Sequence, residues 1–285
     1  MSIAYLNGMF LPLDDVRISP LDRGFLFADG VYEVMPYYDG RSFGLEGHLQ
    51  RLQRSLEAIQ LPIDLSFDDW ITLSDTLVEK NNGGNLSVYL QVTRGAYAVR
   101  NHSFPEELIP TIFAMVSPIA SPLTADVTLA KGITAMTVPD IRWDRCDIKS
   151  ISLLPNILLK QQAAKGGAEE AILVRNGYIT ECAAANVFAV KNGTIYTPIK
   201  DKHILGGITR DIIIALALEY DIPLEEIEMK PSFLTEADEV WISSSTREIV
   251  PVIKLNGHAV GDGRPGCVWK EMAGYYQINK KRIFT

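Results

Sequence analysis

The chain has 285 residues, 47% apolar and 22% charged, as expected of a globular protein with a substantial core and either one large domain or two ordinary ones. Its 27 basic and 35 acidic residues leave a net charge of −8, which argues against a nucleic-acid or anionic-membrane surface but permits a small anion held by a local Arg and His cluster. Cys146, Cys182 and Cys267 form neither a CxxC pair nor a zinc pattern, so no disulfide framework and no metal is expected; with no secretory signal or membrane-length apolar run in view, a soluble cytoplasmic protein is the default expectation.

In chain order, Asn7-Gly8 and Asp39-Gly40 suit tight hairpins, and Val31–Tyr38 and Arg41–Leu45 read as strands flanking the second. Glu46–Ile59 carries Leu49, Leu52, Leu56 and Ile59 on one helical stripe, and a further helix is predicted over Phe67–Glu79. Leu86–Thr93 and Thr111–Ser117 read as buried strands. The two prolines of Val116-Ser-Pro-Ile-Ala-Ser-Pro122 mark the expected boundary between a smaller domain, 1–120, and a larger one, 121–285. A helix over Pro155–Lys165 opens on a proline suited to the first turn and stops at Gly166-Gly167. Ala171–Arg175, Tyr178–Cys182, Val187–Lys191 and Thr194–Thr197 are short strands around Asn176-Gly177 and Asn192-Gly193. A helix over Thr209–Tyr220 follows Gly206-Gly207, and Glu239–Ile242 is β-rich. Hairpins dominate without regular βαβ alternation, so the expected class is α+β.

The segment from Asp140 through Arg142, Trp143, Arg145 and Asp147 to Lys149 leads into Ile151, Leu153 and Leu154. A lysine there is either an edge residue reaching water or an amine held indoors, where burial frees its lone pair for attack on a carbonyl. Glu181 stands alone between apolar stretches 32 residues later. A Schiff-base lysine and an acid that keeps a pyridinium nitrogen protonated are what pyridoxal phosphate chemistry requires, although spacing does not say whether the two meet. Gly206-Gly207-Ile208-Thr209, at a helix start, can converge N–H groups and a hydroxyl on an anion; alone, an ordinary N-cap loop is the commoner explanation. Ser243-Ser244-Ser245-Thr246 can line the same phosphate or be a polar loop. Of Arg51 and Arg54, one can turn inward to an anion while the other stays solvated. Arg100 and His102 point the same way in an extended chain and can grip a carboxylate, with the Tyr32 phenol added unless Tyr32 is simply a structural tyrosine.

Together these segments resemble the fold-type IV pyridoxal phosphate enzymes over nearly the whole chain. The likeness runs through Asp22-Arg-Gly-Phe-Leu-Phe-Ala-Asp-Gly-Val-Tyr-Glu33, the Lys149 segment, Glu181 to Phe188, Gly207-Ile-Thr-Arg210 and Ser244-Ser-Thr-Arg-Glu-Ile-Val-Pro251. Val92-Thr-Arg-Gly95, Arg100, His102, Phe104-Pro105 and the lysine segment are most similar to the D-amino acid aminotransferase branch. The resemblance implies a smaller N-terminal α/β domain and a larger β-rich, cofactor-binding C-terminal domain. It implies pyridoxal 5′-phosphate as a Schiff base on Lys149, which also shuttles the proton, with Glu181 at the ring nitrogen and Leu205 behind the ring. Arg51, Ile208, Thr209, Ser244 and Ser245 would hold the phosphate, partly through backbone. Tyr32, Arg100 and His102 would bind the substrate α-carboxylate, the last two across a homodimer interface. The implied reaction converts D-alanine and 2-oxoglutarate to pyruvate and D-glutamate, with small amino and 2-oxo acids as partners and neither nucleic acid nor membrane. Alternatives are a branched-chain L-amino acid aminotransferase or aminodeoxychorismate lyase on the same fold, or a catalytically silent cofactor- or anion-binding protein. Two departures stand out. Cys182-Ala183-Ala184-Ala185 removes hydroxyls that often follow the glutamate, and the loop from Gly95 to Arg100 is one residue longer than expected.

Overall fold

The computed structural model describes residues 2–120 and 130–282, so Ser121 and Pro122 of the expected boundary lie outside the described residues. By packing, the chain divides into two units, Met1–Ala120 with Ile148–Ser152, and Ser121–Asp147 with Leu153–Thr285. The short segment Ile148–Ser152 thus joins the first unit although the chain on either side of it belongs to the second.

Among the described residues, the first unit holds β1 (Ile3–Leu6), β2 (Met9–Pro12), β3 (Gly30–Tyr38), β4 (Arg41–Ser42), β5 (Leu86–Thr93) and β6 (Thr111–Pro118). They form one antiparallel sheet in the order β2-β1-β6-β5-β3-β4. Its helices are α1 (Arg23–Phe27), α2 (Leu45–Ala58) and α3 (Phe67–Lys80). The α2 stripe is buried as expected: Leu49, Leu52 and Leu56 pack with Met35 of β3 and Val88 and Leu90 of β5, and burial of each such side chain contributes about 2 kcal/mol. The strand expected over Arg41–Leu45 shortens to β4. Gly44 takes φ +69°, a left-handed conformation that turns the chain, and Leu45 already opens α2. A capping box starts α3, with the Ser66 side chain accepting from Asp69 N–H and the Asp69 carboxylate from Ser66 N–H.

The second unit holds β7 (Ile133–Pro139), β8 (Glu170–Arg175), β9 (Tyr178–Cys182), β10 (Asn186–Lys191), β11 (Thr194–Pro198), β12 (Leu224–Ile227), β13 (Glu239–Ser244), β14 (Glu248–Leu255) and β15 (His258–Ala259). The sheet order is β12-β11-β10-β13-β14-β7-β8-β9, with β15 on β14. Pairs β11–β12, β14–β7 and β7–β8 are parallel and the others antiparallel. Its helices are α4 (Leu154–Lys165), α5 (Ile208–Glu219), α6 (Pro231–Thr235) and α7 (Cys267–Arg282). Helices and a mixed sheet in these proportions make the fold α+β, as expected. No sequence expectation covered β7 or α7, and β14 entered only as a motif. No helix among the described residues is long and apolar enough to cross a membrane.

Candidate active site

In the first unit, Lys149 is held by backbone pairing and not by the apolar run that follows it. Its carbonyl accepts Tyr32 N–H at 3.0 Å, its N–H donates to Ser55 Oγ of α2 at 3.2 Å, and Ile151 N–H donates to Gly30 O at 3.1 Å. Leu154, expected to help bury the lysine, is 66% exposed. A side chain at Gly30 would collide with this arrangement, since a Cβ would lie 2.6 Å from Val92 O and 3.1 Å from Ile151 Cδ1. Lys149 is half-buried, and its Nζ lies 4.3 Å from the centroid of the Tyr32 ring. Tyr32 in turn stacks on Tyr89 at 5.7 Å, where burial pushes the phenol up to about 12.

Arg51 of α2 is buried and Arg54 exposed. The Arg51 Nε and Nη2 donate to the two Glu33 oxygens at 2.7 and 2.8 Å, a bidentate pair that fixes the guanidinium plane. His48 Nδ1 lies 2.8 Å from Glu33 Oε2. Burial alone would raise the Glu33 carboxyl, but Arg51 and His48 outweigh it and hold it well below the ordinary range. Burial pushes the His48 ring down, against the pull of Glu33.

Arg100 and His102 occupy an exposed, bent loop, so the extended-chain reason for their pointing together does not apply. Both lie near one ring by another route. The buried Arg23 of α1 donates to the carbonyls of Asn101, His102 and Ser103, and its Nε shares Asp29 Oδ2 with Arg94 Nε at 2.8 and 2.9 Å. With those carbonyls turned inward, the Arg100 guanidinium lies 4.7 Å and the His102 ring 5.1 Å from the Phe27 ring centroid.

In the second unit, Glu181 of β9 is buried. Its Oε1 accepts from Arg142 Nη1 and, at 3.1 Å, from Leu205 N–H. Its Oε2 receives one long contact among the described residues, 3.4 Å from Asn186 Nδ2. Burial pushes the Glu181 carboxyl above the usual range, against Arg142 and the Leu205 N–H, which favour the anion. Arg142 is itself fixed by Asp140, whose oxygens accept from its Nε and Nη2 at 3.0 and 2.9 Å. Although burial raises it, the Asp140 carboxyl is drawn down to about 2 by Arg142 and Arg175. Asn186 also donates to Leu205 O at 2.9 Å, tying Glu181 to the approach to α5. Gly207 leaves room for this tie, since a Cβ there would lie 2.0 Å from Asn186 Oδ1.

No side chain caps the N-terminus of α5, so its first-turn N–H groups and dipole are available to an anion. Ile208 and Thr209, in that turn, are buried. Ser244 ends β13 and Ser245 lies in the following turn, both half-buried. Beside them Ser243 Oγ is buried with no hydrogen-bond partner among the described residues, a situation that costs about 1–3 kcal/mol unless something else meets it. Ala183 and Ala185 are buried and Ala184 is exposed, with Asn156 Nδ2 donating to Ala183 O at 2.8 Å. Arg142, Asn186 and Arg23 were assigned no role from the sequence. All three stand within the motifs already singled out, but only their partners reveal what they hold. Among the described residues, no group of three or more His, Cys, Asp or Glu side chains is placed to hold a metal ion.

Residues 30–255 match the family model described as amino-transferase class IV. The chain is 42% identical over 273 residues to the D-alanine aminotransferase of Staphylococcus haemolyticus, covering 95% of each chain. It is 40% identical over 279 residues to that of Listeria monocytogenes serotype 1/2a (strain 10403S), covering 95% of this chain and 93% of the relative. Among solved structures, the branched-chain amino acid aminotransferase of Escherichia coli matches with a TM-score of 0.85 at 27% identity, covering 95% of this chain and 91% of that one. The branched-chain aminotransferase of Thermoproteus uzoniensis, solved with norvaline, matches with a TM-score of 0.86 at 23% identity, covering 97% and 93%, which is a likeness of fold alone.

Proposed function

The chain belongs to the class IV aminotransferase family, and from that premise we propose that it transaminates D-amino acids with pyridoxal 5′-phosphate, converting D-alanine and 2-oxoglutarate to pyruvate and D-glutamate. The residues fit such a cofactor. The second unit offers one carboxylate oxygen, Glu181 Oε2, as acceptor for a ring N–H. It also offers a set of donors suited to a phosphate, namely the uncapped start of α5, the Thr209 hydroxyl and a serine run that includes the orphaned Ser243 Oγ.

When bound, the cofactor supplies an electron sink for the pair left by a broken Cα–H bond. Lys149 Nζ would hold it covalently and, once displaced by the incoming substrate amine, would take the α-proton as a free amine and return it. Glu181 would keep a proton at the ring nitrogen through Oε2, while Arg142 and Leu205 N–H occupy Oε1. Arg51, Ile208 N–H, Thr209, Ser244 and Ser245 would hold the phosphate, and Leu205 would back the ring. Tyr32 would bind the α-carboxylate together with Arg100 and His102, the last two reaching across the dimer interface. Which hand of amino acid reacts depends on the side on which that carboxylate is held relative to Lys149.

What favours D-amino acids over branched-chain L-amino acids is the nearness of the Arg100 guanidinium and the His102 imidazole to one ring, that of Phe27, from which both could donate to one carboxylate. The test is steady-state kinetics on purified protein. Pyruvate should form from D-alanine and 2-oxoglutarate with kcat/KM at least about a hundredfold above that for L-leucine. Turnover of L-leucine alone would make this a branched-chain enzyme. Association into a homodimer is part of the same reading; a solution mass of 31.6 kDa by light scattering, that of a single chain, would count against it.

A further inference from the structure

The turn that carries Ser245 is an unusual one. Strands β13 and β14 pair in register from Ser244 opposite Glu248, so Ser245, Thr246 and Arg247 span the hairpin and Glu248 closes it. Glu248 takes φ +57°, a left-handed conformation that L residues with long side chains rarely adopt without support from their surroundings. The support is visible. Glu248 is fully buried, its Oε1 accepts from Lys280 Nζ at 2.6 Å, and its Oε2 accepts from Gln277 Nε2. Both donors lie on the last turns of α7.

The other end of α7 is pinned to the same hairpin. Glu239, at the start of β13, accepts from Val268 and Trp269 N–H at 2.9 and 2.8 Å, a carboxylate on the helix N-terminus. Helix α7 therefore runs along the hairpin from its open end to its turn. It also packs against α5, whose first turn forms the other half of the anion cradle.

We propose that α7 sets the geometry of the phosphate cradle, with Glu248, held by Lys280 and Gln277, as a positioning residue for Ser244 and Ser245. None of these three side chains needs to touch the cofactor. The inference rests on the reading of Ser244, Ser245 and Thr209 as phosphate contacts.

The test compares two ligands on protein freed of cofactor by dialysis: pyridoxal 5′-phosphate, and pyridoxal, which lacks the phosphate. Dissociation constants are measured by absorbance titration for the wild type, Lys280→Met and Glu248→Gln, with circular dichroism to confirm folding. The milder Gln277→Leu replaces any variant that does not fold. The expected result is a loss of about tenfold in affinity for pyridoxal 5′-phosphate with pyridoxal binding changed by less than about twofold. Equal losses for both ligands would reduce the cluster to general support of the fold and overturn the proposal, as would unchanged affinity for both. A wild type that binds the two ligands equally well would instead remove the phosphate reading itself.

Discussion

A carboxylate that keeps a ring nitrogen protonated must itself stay ionised, and at Glu181 burial works against that. Arg142 and the Leu205 N–H are the counterweight. Replacing Arg142 by Met removes the larger part of it, so the carboxyl should hold its proton to higher pH. The acid limb of the kcat/KM profile is then expected to move up by about one pH unit, with less change on the alkaline side. A limb that stays put would leave Arg142 with a structural role alone. Lys149 and Glu181 could be singled out in the sequence because their chemistry is carried by residue type within a motif. Arg142 and Asn186 could not, because what they do is fixed by partners brought together in the fold. Arg142 reaches a carboxylate 39 residues away, and Asn186 tucks against a glycine backbone. Nothing in an Asp-x-Arg triplet, or in an asparagine five residues after Glu181, announces either.

Among the elements, α2 and β3 meet over the buried trio Glu33, His48 and Arg51, which has a consequence for stability. The folded pKa of Glu33 lies below its unfolded value of 4.5, and that of His48 below 6.5. As pH falls, the unfolded chain takes up these protons first. The stabilisation is therefore complete above the unfolded values and is lost on acidification, from about 6.5 for His48 and from about 4.5 for Glu33. Thermal melts should show the midpoint falling from pH 7.5 to pH 4, and His48→Gln should remove the part lost between about 6.5 and 5. An identical pH dependence in that variant would contradict the assignment to His48. The two elements also differ from others in how plainly they read. The leucine stripe of α2 marks a helix at sight. By contrast α7 buries Trp269, Met272, Ala273 and Tyr276 at helical spacing, but the stripe ends on Lys280, a charge paired indoors with Glu248, and Ile278 blurs the exposed face. In β14, Pro251 masks a strand that is nevertheless paired on both sides.

At the scale of the molecule, the segment Ile148–Ser152 belongs by packing to the first unit, while the chain on both sides of it belongs to the second. The α+β class was legible because hairpin signals and helical stripes are local. The membership of Ile148–Ser152 in the first unit was not, because it rests on backbone hydrogen bonds to β3 that any residues could make. It is also the reason that Lys149 packs with Tyr32 and Ser55, away from its neighbours in sequence. The central claim is that this lysine, loaded with pyridoxal 5′-phosphate, exchanges amino groups with D-amino acids. The most direct measurement is the visible absorbance of the loaded protein before and after D-alanine or L-leucine is added without an oxo acid. The expected result is loss of the visible band with D-alanine and its persistence with L-leucine; a band bleached by L-leucine and untouched by D-alanine would contradict it.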